Sequence, residues 1–248
     1  MDLGLNRKCA IVTGGTKNIG EAITRSLLTE GAYVVTTYRS DHTAAERMQK
    51  KIPSELASRL IIKNLDVSCS ANCDLLCQSA MDHFGRVDIL VNNAALFLPQ
   101  PIDAITDTSF DLILHNSLRS MLYMTRSAFN LMKTQKSGRI VNISTAGVYT
   151  ANPNELLYLC AKAGIEAATR SFARLGGQSR VTINAIAPHV IESGMGLETL
   201  ASDPTIVERI PLGRAGTIEE IAATVIFLCS NKLNISMDKS LGLTVGES

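Results

Sequence analysis

Short β-branched runs alternate with longer helical stretches along the chain, and this alternation constrains the fold more than any other feature of the sequence. Residues 9–13, 33–38, 60–65, 87–91, 139–143 and 181–186 read as strands, with a weak last strand at 243–245. Residues 19–30, 43–56, 71–84, 109–133, 157–174 and 218–228 read as helices. Strand followed by helix, repeated, means a parallel sheet covered on both faces. Right-handed crossovers then wind that sheet in both directions. The strand runs are almost continuously apolar, as two buried faces require. The sequence therefore predicts an α/β chain: one doubly wound domain over 1–248, with about seven parallel strands and helices on both faces. No Pro-, Gly- or Ser-rich linker divides it. The long irregular stretch at about 188–216 is expected to be a substrate-binding loop.

Composition excludes several classes of partner. The 248 residues carry a formal net charge of +1, with no basic stripe of the kind a nucleic acid would meet. No apolar run approaches the roughly 20 residues that span a bilayer. No secretory leader precedes the first strand run. The six cysteines contain no CxxC pair and read as reduced thiols, which suits a cytoplasmic protein. Cys69, Cys73 and Cys77 recur every four residues, on one helical face. They are expected to be buried or half-buried thiols, since a metal site needs other spacing, and no metal is expected. The triplets Asn142-Ile143-Ser144 and Asn234-Ile235-Ser236 match a glycosylation pattern but read as chance without a secretory route.

In such a sheet, ligands bind beyond the carboxyl ends of the strands. The first strand run leads into Thr13-Gly14-Gly15-Thr16-Lys17-Asn18-Ile19-Gly20. Glycines let the backbone approach a pyrophosphate, and a helix N-terminus offers free N–H groups. Gly14, Thr16, Lys17, Asn18, Ile19 and Gly20 are the candidate phosphate-binding residues. The second run ends Tyr38-Arg39-Ser40, where an NAD site would carry a carboxylate. Arg39 suits a 2′-phosphate instead, and Lys17 adds a second positive charge. NADPH/NADP+ is thus favoured over NADH. Asp66-Val67 follows the third run, where an Asp accepts from an adenine amino group. Asn93-Ala94-Ala95 follows the fourth, where Asn braces a crossing loop.

The run at 139–143 ends in two hydroxyls, Ser144 and Thr145. Thirteen residues after Thr145 stands Tyr158, with Lys162 four further on, so phenol and ammonium share one helical face. With these residues in place the chain resembles the short-chain dehydrogenase/reductase family, which has a Rossmann fold. Within it the chain is similar to the 3-oxoacyl-[acyl-carrier-protein] reductase branch. The resemblance covers nearly the whole chain, through residues 13–20, Asp66-Val67, 92–95, Asn116, 142–145, Tyr158-x-x-x-Lys162, Asn184-Ala185-Ile186-Ala187-Pro188 and 210–216.

The resemblance implies an NADP(H)-dependent reductase that transfers hydride to a ketone or β-ketoacyl substrate, free or bound to a carrier protein or CoA. It implies Tyr158 as general acid, acidified by Lys162 together with the positive nicotinamide of the oxidised cofactor, Lys162 also as holder of the nicotinamide ribose, and Asn116 as holder of a relay water behind Lys162. A unit charge about 4 Å away is worth roughly 4 kcal/mol at an effective dielectric of about 20, or about three pKa units at most. Thr145, where the family usually has Ser, would donate to the substrate carbonyl, with Ser144 as the alternative donor. Pro188, Val190, Ile191 and Ser193 would border the cofactor, and His189 and Met195 the substrate. A homotetramer or dimer is expected, built on the helices at 109–133 and 157–174. Three further departures stand out. Asn18 replaces the middle glycine of the turn, and Asn tolerates the left-handed conformation. His189 replaces the glycine that usually follows Pro188. The tail at 235–248 keeps only Gly246 of a closing glycine pair. Competing readings are an alcohol dehydrogenase running oxidatively and a catalytically silent NADP(H)-binding sensor or scaffold. An enoyl reductase of this fold would carry Tyr seven residues before the Lys, where this chain has Glu155.

Overall fold

A computed structural model describes residues 2–236 and 241–243. Seven parallel strands form one sheet: β1 (Cys9–Val12), β2 (Tyr33–Tyr38), β3 (Leu60–Asn64), β4 (Ile89–Asn92), β5 (Gly138–Ile143), β6 (Val181–Pro188) and β7 (Leu241–Leu243). Their order is β3-β2-β1-β4-β5-β6-β7. The winding reverses between β1 and β4, which leaves a crevice at the carboxyl ends of those strands.

The helices are α1 (Asn18–Thr29), α2 (His42–Lys51), α3 (Ser54–Ala57), α4 (Ser70–Phe84), α5 (Asp107–Leu114), α6 (Ser120–Gln135), α7 (Gly147–Thr150), α8 (Leu156–Gly176), α9 (Met195–Ser202) and α10 (Ile218–Cys229). Alternate strand residues face opposite layers. Ala10 and Val12 pack with Ile23, Leu27 and Val225 of α1 and α10. Cys9 and Ile11 pack with Leu76 and Met124 of α4 and α6 on the other face. All four β1 residues are fully buried, which is why the run reads as continuously apolar.

Several boundaries differ from the sequence reading, each for a local reason. The helix expected over 43–56 stops at Lys51 and restarts as α3. Pro53 lacks an N–H and forces the preceding Ile52 out of the helical region, where its ψ is 127°. The long helix at 109–133 begins two residues early, at Asp107, because Thr106 and Ser109 form a capping box. It is interrupted by a π-turn over His115–Arg119. The expected irregular stretch at 188–216 contains α9 and a 3-10 turn, Pro204–Arg209. The last strand lies at Leu241–Leu243, two residues earlier than expected. Val245 and Gly246 fall outside the described residues.

Cys73 and Cys77 are buried, and burial pushes both thiols up to about 12. Cys69 is exposed, a correction to the expected buried face: it precedes the first turn of α4, clear of the sheet. Asn142 is fully buried in β5 and donates its amide to Thr169 Oγ1 at 2.8 Å.

Leu27→Ala would empty a fully enclosed site between α1 and the sheet. It is expected to cost about 3 kcal/mol. Urea denaturation should show a lower midpoint with an unchanged slope.

Candidate active site

A cleft of about 620 Å³ runs along the carboxyl ends of the strands, and every candidate catalytic, cofactor-binding and substrate residue named from the sequence lines it. At one end the turn after β1 enters α1. Gly14 sits at φ +64° and Asn18 at φ +52°, so the asparagine occupies a left-handed position that most side chains avoid. A Cβ on residue 20 would collide with the Gly14 carbonyl oxygen. Lys17 is the N-cap of α1, yet its side chain caps nothing. The first N–H groups of α1 are therefore open to an anion. Asn93 braces the turn, donating to the carbonyl oxygens of Thr13 and Gly14 at 3.0 Å each. Thr13 Oγ1 accepts from the backbone N–H of both Asn93 and Ala94.

The neighbouring wall holds Tyr38, Arg39 and Ser40, with Asp66 and Val67 beyond. Lys17 Nζ lies 2.9 Å from Asp41 Oδ2. That bond holds the Asp41 carboxyl below its ordinary range. The sequence reading missed Asp41, which belongs to the cleft because it caps α2 through Ala44 N. Its signal was an Asp just ahead of a helical run. It partly neutralises the extra charge expected of Lys17. Asp66 Oδ1 accepts from Ser68 N at 2.9 Å. Arg39 reaches across the cleft and donates to Asn116 Oδ1. Asn116 stands in the π-turn and donates to Leu112 O at 2.7 Å.

At the other end α8 brings Tyr158 and Lys162 into the wall, 6 % and 3 % exposed. Lys162 Nζ donates to Ile143 O at 2.6 Å and lies 5.5 Å from the centre of the Tyr158 ring. Phe97 meets that ring edge-on at 5.1 Å. Burial pushes the Lys162 ammonium down to about 8. Burial pushes the Tyr158 phenol up, and the Glu155 carboxylate adds to the rise. The sequence expectation joined Lys162 to the positive nicotinamide of a bound cofactor; in the cofactor-free cleft, burial outweighs the ammonium. The Coulomb argument assumed a close, unshielded ammonium, whereas this one is drawn to a carbonyl and the phenol is desolvated. Glu155, missed as a site residue, is itself pushed up by burial, opposed by the bond from Asn152.

The two candidate hydroxyls differ sharply. Ser144 Oγ donates to Glu166 Oε1 at 2.8 Å and is buried. Thr145 is half-buried, accepts from Gly147 N at 3.2 Å and makes only a long bond, 3.4 Å, to Pro188 O. Glu166 was also missed, although its signal was present: residues 158, 162 and 166 share one helical face. After β6, the segment holding Pro188, His189, Val190, Ile191, Ser193 and Met195 closes the cleft.

A family model described as enoyl-(acyl carrier protein) reductase matches residues 14–237. The chain is 32 % identical over 227 residues to a 3-oxoacyl-[acyl-carrier-protein] reductase of Synechocystis sp., covering 92 % of this chain and 91 % of the relative. It is 30 % identical over 236 residues to the hydroxynaphthalene reductase-like protein Arp2 of Metarhizium guizhouense, covering 89 % and 87 %. It is 30 % identical over 252 residues to an L-xylulose reductase of Mesocricetus auratus, covering 99 % and 98 %.

The buried ammonium has a thermodynamic signature. Its value in the folded chain, about 8, lies below the ordinary 10.5. Between those pH values the native state binds fewer protons than the unfolded chain, so this group makes stability rise with pH. Without cofactor, the stability of the parent relative to Lys162→Met should therefore rise from pH 8 towards 10.5. Urea unfolding of both proteins across that range checks this, and a pH-independent difference would contradict it.

Proposed function

The chain belongs to the short-chain dehydrogenase/reductase family, and on that premise we propose that it is an NADPH-dependent reductase of a ketone or β-ketoacyl substrate, with Tyr158 as general acid. The observation that carries this reading is the pairing of a buried phenol and a buried ammonium on one face of α8, both in the wall of the cleft. The three relatives are all named as reductases. The family model's description names an enoyl reductase. The tyrosine implied for that chemistry is Glu155 in this chain, so carbonyl reduction is the better reading.

The residues present fit a dinucleotide. The turn requires glycine at both ends, since Gly14 sits at φ +64° and a Cβ on residue 20 would meet the Gly14 carbonyl oxygen, and the N-terminus of α1 has no side-chain cap. Thr16, Lys17, Asn18 and Ile19 would hold the pyrophosphate, Asp66 and Val67 the adenine, and Ala94 and Ala95 the crossing between them. Arg39, at the end of a strand that closes without a carboxylate at 38–40, would take the 2′-phosphate beside Tyr38 and Ser40. Lys162 would hold the nicotinamide ribose, near Pro188, Val190, Ile191 and Ser193. When bound, the cofactor supplies hydride to the carbonyl carbon.

The chain's own groups do the rest. Tyr158 hands its proton to the carbonyl oxygen. Burial and Glu155 keep that phenol protonated, the form an acid needs. Lys162 offsets the negative charge left on the phenol oxygen. Thr145 donates to the same carbonyl oxygen. Ser144 does not compete, because its hydrogen is engaged by Glu166. Asn116 would anchor a relay water. His189 and Met195 border the substrate, which is free or tethered to a carrier protein or CoA. We read residues 1–248 as one domain. The exposed Phe110 and Leu112 of α5 support a homo-oligomer, and the free thiols a cytoplasmic location.

Tyr158→Phe should lower NADPH-linked turnover by about 10²–10⁴-fold while NADPH binding, followed by fluorescence titration, is retained. Full turnover in that variant would defeat the assignment. Arg39→Ala should weaken NADPH by about tenfold or more, as expected for a lost charge-assisted contact, and leave NADH unchanged. Equal losses for both cofactors would contradict the 2′-phosphate role.

A further inference from the structure

Glu166 is a carboxylate only 5 % exposed, and the proposed reaction gives it no part. Among the described residues no ion pair reaches it. Its partners are two hydroxyls: Ser144 Oγ donates to Oε1 at 2.8 Å and Tyr149 OH to Oε2 at 2.9 Å. A buried carboxylate without a cation is costly, and its hydrogen bonds are what make the position tolerable. An apolar side chain would avoid that desolvation but would leave both hydroxyls without their acceptor. The value of the carboxylate must therefore lie in what its bonds hold.

They hold the turn that carries Thr145. On one face of α8, Lys162 grips Ile143 through its carbonyl, and Glu166, one turn later, grips Ser144 through its hydroxyl. Thr145 is the next residue. Glu166 also reaches Tyr149 of α7, so both ends of the 144–149 turn meet in one carboxylate. Backbone bonds from Ser144 N to Ile186 O at 2.7 Å and from Ala146 N to Pro188 O at 2.9 Å tie the residues on either side of Thr145 to β6, but its side chain has weak anchors: a 3.4 Å bond to Pro188 O and the N–H of Gly147, which belongs to the same turn. Its hydroxyl therefore goes where the turn's backbone goes.

We propose that Glu166 is a positioning residue that fixes the 144–149 turn through Ser144 and Tyr149, and so aims the Thr145 hydroxyl at the substrate carbonyl. By binding the Ser144 hydrogen it also leaves Thr145 as the donor to substrate. This rests on the reductase reading for Thr145, but the placement of the turn does not.

The test uses Glu166→Leu and Glu166→Gln in the full-length protein, with NADPH and ethyl acetoacetate as the probe ketone. Glu166→Leu should lower kcat by about ten- to hundredfold, the scale of a misplaced reacting group, with NADPH affinity unchanged. Glu166→Gln keeps an acceptor oxygen and should recover part of that loss. A crystal structure of Glu166→Leu should show the 144–149 turn displaced and Thr145 Oγ1 away from Pro188 O. Unchanged kcat, kcat and NADPH affinity falling together, or an undisturbed turn would each overturn the proposal. If the parent protein does not reduce the probe, the reductase reading fails on this ketone, and the crystal comparison alone decides the role of Glu166. Should Glu166→Leu not fold, Ser144→Ala and Tyr149→Phe each delete one bond. Each should lower kcat severalfold, and full activity in both would overturn the proposal.

Discussion

The bond from the Lys162 ammonium to the carbonyl of Ile143 ties the helix that holds Tyr158 to the end of the strand that faces it. Without that tie an almost fully buried ammonium would have only the face of the Tyr158 ring, 5.5 Å away, to set against its lost hydration among the described residues. With it, α8 is set against the end of β5, and Tyr158, one turn earlier, is delivered into the cleft wall. The neighbouring residues follow from the same contact. Ser144 and Thr145 continue β5 beyond Ile143, and β6 pairs alongside it, with Ile143 opposite Ile186. That register brings Pro188 and the loop after it to the same end of the sheet.

Burial has opposite consequences for the two ionisable groups. It lowers the ammonium and raises the phenol, because each charged form loses solvent. The pair is therefore held as a protonated phenol beside a cation that gives up its proton more readily than a free lysine. A phenol in that state keeps the proton that an acid needs, while its raised pKa makes it a weaker donor than a free tyrosine. Glu155 pushes in the same direction. The cleft is thus electrostatically biased before any ligand arrives.

The sheet, its order of elements and most of the cleft-lining residues were legible in the sequence, because periodicity fixes which faces are buried and the Gly14–Gly20 turn marks where the first helix opens onto the cleft. What was not legible depends on partners distant in the chain. Lys17 is paired with Asp41, 24 residues away, and a residue's own identity does not show that pairing. The direction of the Tyr158 shift depends on how deeply the ring is enclosed and on Phe97, from a loop with no periodic signal. The break at Pro53 was readable, because a proline disfavours the helical region for the residue before it. Glu166 was readable in spacing, since it extends the 158–162 face by one turn. Its role depends on Ser144 and Tyr149 folding back to meet it.

The most direct measurement is a spectroscopic pH titration of tyrosinate formation in the cofactor-free protein and in Tyr158→Phe, the difference isolating the one phenol. The account expects that phenol to stay protonated beyond about pH 10, where free tyrosine ionises. Appearance of its phenolate near neutral pH would contradict the account, since Lys162 would then dominate over burial.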